Sequence, residues 1–296
     1  MTARTRKRTS ERRKPRAYRE SKCSITRRKR EPYTCYSSNA LMRLRDAWNT
    51  RHPSRAITTT SPARIWAALK LELGNACNSE ACWLRQSFAR HKLPSDVVAY
   101  TFAPTAPAVW KDKPSEWLTS DEIAAAMRHL EVAVPSFAFF GPSPIDFDKR
   151  MAFGQCVWSD ICQIEVKKLH RSGTTKLGFV FNTDPHTKPG EHWVALYADL
   201  DAAGITYMDS YGDPAPPEVL KLVARLKQQM GQLGVAAEFR EIRRRHQLGE
   251  SECGMYCLHF LTTLARGDKT PIEFERERIP DMFVKRLRGV YFNKEA

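Results

Sequence analysis

Four residues in the C-terminal half have types and spacing suited to acyl transfer through a thiol. Cys253 lies in Gln247-Leu-Gly-Glu-Ser-Glu-Cys253-Gly254, where a polar loop enters an apolar run. A thiol at a helix N-terminus faces the positive end of the helix dipole, which favours the thiolate. Gly254 would let a substrate backbone approach closely. Such a nucleophile needs a base and a group that orients the base. His192 begins a predicted strand, and Asp209 lies near the end of the next one, seventeen residues on. If the strands pair around Asp199–Gly204, the two side chains fall opposite each other or one diagonal step apart, within contact reach. An acid there would fix the histidine tautomer and stabilise the imidazolium. Gln247, six residues before Cys253, could supply a side-chain N–H to an oxyanion beside the Cys253 backbone N–H. Taken singly, His192, Asp209 and Gln247 would each pass as ordinary surface or turn residues. The matched positions of all four make the case.

The elements that must hold them are legible as patterns. Apolar Leu177–Asn182, His192–Ala198 after Pro189-Gly190, Ile205–Tyr211 and Val235–Ile242 read as strands. Phe137, Phe139 and Phe140 read as a strand or buried loop. Thr119-x-x-Glu122 is a capping box that opens a helix through Ile123–Leu130. Pro216-Pro217 opens a helix with Val219, Leu220, Leu222, Val223, Leu226 and Met230 on its apolar face. Gly254–Ala265 is too hydrophobic for the surface and predicts a central helix.

The rest of the 296 residues divides by composition. The net charge of +15 is concentrated at one end: residues 1–30 hold fourteen Lys or Arg and two Glu. Residues 1–32 therefore read as a disordered basic arm able to bind nucleic acid non-specifically. Residues 33–102 read as a small helical module, with Ser38 capping a first helix and Ser61-Pro62 opening a second that stops at Gly74. A third short helix carries Cys82, Trp83, Leu84 and Phe88. Residues 103–116, with Pro104, Pro107 and Pro114, read as a linker, and a further domain runs over 117–296. The eight cysteines show no dense disulfide pattern, so free thiols in a reducing compartment are expected. Cys77 and Cys82 could ligate metal with Cys35, but no tight C-x2-C pair supports this, and neither metal nor cofactor is expected. No run is long enough to span a bilayer, and the basic N-terminus lacks the apolar region of a secretory signal.

His192-Trp193, Asp209, and Gln247 followed by five residues and Cys253-Gly254 resemble the ubiquitin-like-protease (sentrin-protease) and adenovirus-protease group in order and spacing, over roughly Trp117 to Phe292. Phe139-Phe140-Gly141-Pro142-Ser143-Pro144-Ile145-Asp146-Phe147 and Phe179-Val180-Phe181-Asn182-Thr183-Asp184-Pro185 are similar to proteases of large double-stranded DNA viruses, of the asfarvirus and giant-virus type. The resemblance implies an α+β, papain-like (adenain-like) cysteine protease with a central helix on a mixed sheet. It also implies cleavage after Gly-Gly in viral structural precursors during particle maturation. In the family, a Trp beside the catalytic His and another before the first helix form a slot that only glycines pass; Trp193 and Trp117 match those positions. Flat indoles on both sides of a backbone leave no room for a Cβ. One departure is Glu252, where deconjugating members usually carry Asp: the charge is kept but the reach differs.

Three other readings share these residues. One is a deconjugase of a ubiquitin-like modifier. Another is a cysteine acyltransferase. The third is a non-catalytic nucleic-acid-binding virion protein. The expected location is inside the cell, in the virion and host cytoplasm, with the nucleus open to a chain bearing a basic arm.

Overall fold

Short apolar runs bounded by turns build a five-stranded sheet whose central strands are buried on both faces, and each face collects a helical layer. The structure is a computed structural model that describes residues 18, 21–25, 32–90 and 92–294. The described residues divide into two compact units, one made chiefly of residues 32–98 and the other of residues 22–25 and 99–294. The division falls within a short helix. Most of the predicted basic arm, residues 1–17, 19–20 and 26–31, lies outside the described residues.

In the smaller unit α1 (Ser38–Arg51) packs beside α2 (Pro62–Leu73), with α3 (Glu80–Trp83) following. Leu41, Leu44, Ile65, Leu69 and Trp83 are fully buried, as helical spacing requires. The cap of α1 is Ser37 rather than Ser38: its hydroxyl accepts from the Ala40 N–H at 3.1 Å. Phe88, expected on the third helix, lies beyond it and meets Trp48 edge-on. Cys77 and Cys82 are bonded to each other, which corrects both the free-thiol and the metal-ligand expectations. A separation of five residues brings their Cα atoms to 5.5 Å.

α4 (Ser95–Tyr100) carries the chain into the larger unit, where α5 (Ser120–Ala133) precedes β1 (Phe137–Pro144). The short helices α6 (Ser159–Cys162) and α7 (Val166–Arg171) follow. Next come β2 (Lys176–Asn182), β3 (Trp193–Asp199) and β4 (Gly204–Met208), then α8 (Pro217–Gly231) and β5 (Glu238–Ile242). α9 (Cys253–Arg266), α10 (Pro271–Arg276) and α11 (Asp281–Tyr291) close the chain. Strand order is β1-β2-β3-β4-β5, antiparallel in the middle and parallel at both edges. The mixed α+β sheet matches the expected class.

Strand side chains alternate between two cores. Trp193, Ala195 and Tyr197 face α5, α9 and α11, whereas Val194, Leu196 and Ala198 face α7 and α8. Nearly every residue of α9 is buried. Each of Leu258, Phe260 and Leu261 removes a large apolar side chain from water, worth about 1.5–3 kcal/mol apiece.

Two boundaries differ from the sequence reading. Residues 22–25, expected in a disordered arm, pack on the larger unit. The Ser24 N–H donates to Thr101 O at 3.1 Å, Ser24 Oγ meets His129 Nδ1 at 2.6 Å, and Ile25 joins the core. One apolar residue and a run of backbone bonds outweigh the local charge. The expected linker 103–116 is likewise part of this unit. The Ala106 N–H donates to Asn293 O at 2.6 Å, and Trp110 packs edge-on against Phe292. Cys156 and Cys162 form a second disulfide, also against the free-thiol expectation. Among the described residues Cys253 and Cys257 are the free cysteines.

Candidate active site

β3 and β4 form a hairpin that sets the first pair. The register places Ala195 opposite Met208 and Asp199 opposite Gly204. Continued past the strand ends, it puts Asp209 opposite Val194, so His192 lies one diagonal step away, on the same face. His192 Nε2 and Asp209 Oδ1 are 2.8 Å apart. Asp209 also fixes its own turn, accepting the Tyr211 N–H at 2.7 Å through the same oxygen. One carboxylate oxygen therefore both meets the histidine and holds the turn. Gly212 completes the turn at φ +83°, and a Cβ there would lie 2.7 Å from Arg243 O.

The loop before His192 is tied as firmly. The Thr183 N–H donates to His192 O at 2.8 Å, and Asn182 Oδ1 accepts from Glu191 N–H at 3.1 Å. Gly190 has φ +98°, and a Cβ there would meet Asn182 Nδ2 at 2.7 Å.

Cys253 is the first residue of α9 and is buried. Burial alone would depress the basicity of His192, but hydrogen bonds to Asp209 and Cys253 and the negative charge of both outweigh it. The imidazole is pushed up to about 10. With Nε2 committed to Asp209, the other ring nitrogen is left for the thiol. Cys257, one turn on, is fully buried, and burial pushes its thiol well up. The two thiols on one helix thus have different chemistry: one faces a histidine and the other is packed.

Gln247 is buried within the loop that enters α9. Its Oε1 accepts from Ser210 Oγ at 2.7 Å, and its amide N–H groups go to Gly249 O at 2.8 Å and Tyr211 Oη at 3.2 Å. Both donors are engaged, so an oxyanion would have to displace one of them; the longer Tyr211 bond is the weaker of the two. Tyr211 stacks on His192, with centroids 4.9 Å apart and planes at 22°. Ser210 and Tyr211 directly follow Asp209 and were not singled out from sequence. Their signal was that adjacency alone.

Trp117 and Trp193 line one cleft of about 700 Å³ together with Pro142, Asn182 and Gly190. Cys253 and His192 are not among its lining residues. Trp193 is the connection: it follows His192 directly, lines the cleft, and donates its indole N–H to Leu118 O at 2.9 Å. Trp117 is partly exposed at the rim. Gly254 is buried, and its environment differs from the expected open approach. A Cβ there would meet Leu118 Cβ at 3.0 Å and Trp193 Cδ1 at 3.4 Å, so the glycine makes room for the cleft wall.

Residues 179–292 match the Ulp1 protease family, C-terminal catalytic domain. The chain is 25% identical over 297 residues to a thiol protease of Acanthamoeba polyphaga mimivirus, covering 92% of this chain and 93% of that protein. It is 36% identical over 101 residues to a cysteine protease of African swine fever virus, covering 33% of this chain and 37% of that protein. The counterpart from another isolate, 35% identical over the same length, is named a SUMO-1 cysteine protease. The crystal structure of the African swine fever virus protease superimposes with a TM-score of 0.66 at 21% identity, over 93% of this chain and 96% of that one, which shows a shared fold. The chain is therefore a cysteine-type protease whose residues 179–292, the stretch that holds His192, Asp209 and Cys253, match the Ulp1 catalytic domain, with viral thiol and cysteine proteases among its relatives.

Proposed function

We propose that this protease cleaves after Gly-Gly and similar small-residue sites, using Cys253 as nucleophile, His192 as acid and base, and Asp209 as the orienting acid. The observation that carries the reading is His192 held between Asp209 at 2.8 Å and the thiol at the head of α9. The thiolate attacks the scissile carbonyl carbon and the C–O π pair moves to oxygen. The Cys253 backbone N–H and Gln247 receive that charge, the amide exchanging its Tyr211 bond. Collapse breaks the C–N bond as His192 gives its proton to the leaving amine, and a thioester remains. His192 then takes a proton from water as the water oxygen bonds to the thioester carbon; collapse breaks the C–S bond, releasing the acid and restoring the thiolate beside the imidazolium.

Support for the small-residue preference comes from Trp117 and Trp193 lining one cleft: a chain held between two indoles would have no space for a branched Cβ. The substrates proposed are viral structural precursors. The name of the swine fever relative gives a second candidate substrate, a folded ubiquitin-like modifier. Peptides carrying Gly-Gly, Ala-Gly or Gly-Ala before the scissile bond separate these readings. Cleavage confined to small-residue sites supports the proposal. Cleavage of a folded modifier with none of the peptides would replace it with deconjugation.

The proposal extends to non-specific nucleic-acid affinity of residues 1–32, supported by their charge. Deleting residues 1–17 leaves the packed 22–25 stretch in place and should abolish DNA binding at low salt. Binding that persists unchanged would remove this part.

A further inference from the structure

Glu252 immediately precedes the thiol, and its carboxylate is buried at 4% exposure. A negative charge there would oppose a thiolate unless something compensates it. The compensation comes from the far end of the chain. Arg288, on α11, is 7% exposed and places Nε 3.1 Å and Nη2 3.0 Å from Glu252 Oε2. The same guanidinium donates through Nη1 to Glu116 O at 2.7 Å and through Nη2 to Ser251 O at 3.4 Å. Its plane lies over the Trp110 ring, 4.5 Å from the centroid.

These contacts join two strips of backbone that have separate duties under the proposed function. Ser251 and Glu252 form the turn that presents the Cys253 Sγ and N–H, and Glu252 O accepts the Tyr256 N–H at 2.9 Å, starting α9. Glu116 leads directly into Trp117 and Leu118, the wall to which Trp193 is hydrogen-bonded. A planar fork with several fixed donors can hold both strips at once, whereas an ammonium cannot. The glutamate fits this duty: its side chain reaches the guanidinium across the turn.

We propose that Arg288 and Glu252 are positioning residues for catalysis, fixing the nucleophile turn and the Trp117 wall in one register. The inference rests on the proposed peptide cleavage. The contrary reading is an ion pair that serves stability alone.

Three variants separate the two: Arg288→Lys, Glu252→Gln, and the double Glu252→Gln/Arg288→Met. Breaking one end of a buried pair leaves an uncompensated charge, but neutralising both ends does not, so the double variant should regain thermal stability even if the single variants fold poorly. Full-length protein is assayed for Tm, for kcat and KM on a Gly-Gly peptide, and for inhibition by the matching peptide aldehyde. The thiolate adds to the aldehyde carbon, and the resulting oxyanion occupies the same donors as the reaction intermediate. Positioning predicts that kcat in the folded Lys and double variants falls about tenfold to a hundredfold, the scale expected for misplacement near 1 Å. Aldehyde inhibition should weaken in parallel while KM changes less. A double variant with wild-type Tm, kcat and aldehyde affinity would overturn this inference alone. A wild type that folds but cleaves no peptide would overturn it together with the proposed function.

Discussion

Replacing Asp209 by Asn isolates the charge that holds the imidazolium. The asparagine Oδ1 can still accept from His192 and from Tyr211 N–H, so the geometry at 2.8 and 2.7 Å is largely kept and the charge is removed. In the wild type, His192 rises from 6.5 to about 10, equivalent to about 5 kcal/mol of preference for the protonated ring, shared between Asp209 and Cys253. An opposite charge at this range contributes about one to three pH units. The alkaline limb of kcat/KM, which reports loss of the imidazolium, should therefore move down by about that much. The loss should be modest near neutrality and grow about tenfold per pH unit above the new limb. The stability linkage has a definite sign. A folded pKa above the unfolded one stabilises fully below about 6.5, and that contribution fades as pH rises towards 10. The gap in Tm between wild type and variant should thus be widest in mild acid and shrink towards pH 10. The assay is initial-rate peptide cleavage over pH, with Tm at each point. Superimposable pH profiles, or a loss uniform at every pH, would refute the electrostatic role of Asp209 and leave it only as a spacer.

Cys253→Ala should abolish turnover while leaving Tm within a few degrees, since the substitution removes one buried sulfur from the end of α9; peptide cleavage above background by this variant would end the assignment. Gly254→Ala should push Leu118 and Trp193 from contacts of 3.0 and 3.4 Å. The expected result is a higher KM and a net cost of about 1–2 kcal/mol, overpacking exceeding the gain in helix propensity; an unchanged KM in peptide kinetics would contradict that account of the cleft wall. Thr119→Ala removes the hydroxyl of the capping box, in which the Thr119 N–H donates to Glu122 Oε2 at 2.7 Å. It should lower stability by about 1 kcal/mol in urea melts with kcat nearly untouched.

The parts of the site visible in sequence were those governed by local period. His192–Ala198 and Ile205–Tyr211 are short, mostly apolar segments on either side of Asp199–Gly204, so the hairpin and the diagonal offset of His192 from Asp209 could be worked out from a count of residues. The buried run after Cys253 announced α9 for the same reason. Contacts that close over long separations were not visible. α11 interleaves Lys285, Arg286 and Arg288 with Val284 and Tyr291, so nothing local marked Arg288 as the residue that turns inward. Three prolines made 103–116 look like a linker, although Ala106 is bonded to Asn293 near the other end of the chain. Ile25 lay hidden in a run of charge for the same reason. Cys156 and Cys162 gave no pattern either, because their pairing depends on the path of the intervening loop.

The β3–β4 hairpin has a practical corollary. His192 and Asp209 stand at its open end, and the connection from Asp199 to Gly204 lies at the closed end. The ladder between them acts as a ruler: the diagonal match depends on which residues pair, not on how long the connection is. Extra residues inserted at the exposed Asp201 should leave the match intact, since closing a longer loop costs little and disturbs no rung. One residue added inside either strand would instead slide the ladder and put His192 and Asp209 on opposite faces of the sheet. The closed end is thus the natural point at which to attach a fluorophore or an affinity handle, and the strands themselves tolerate no change of length.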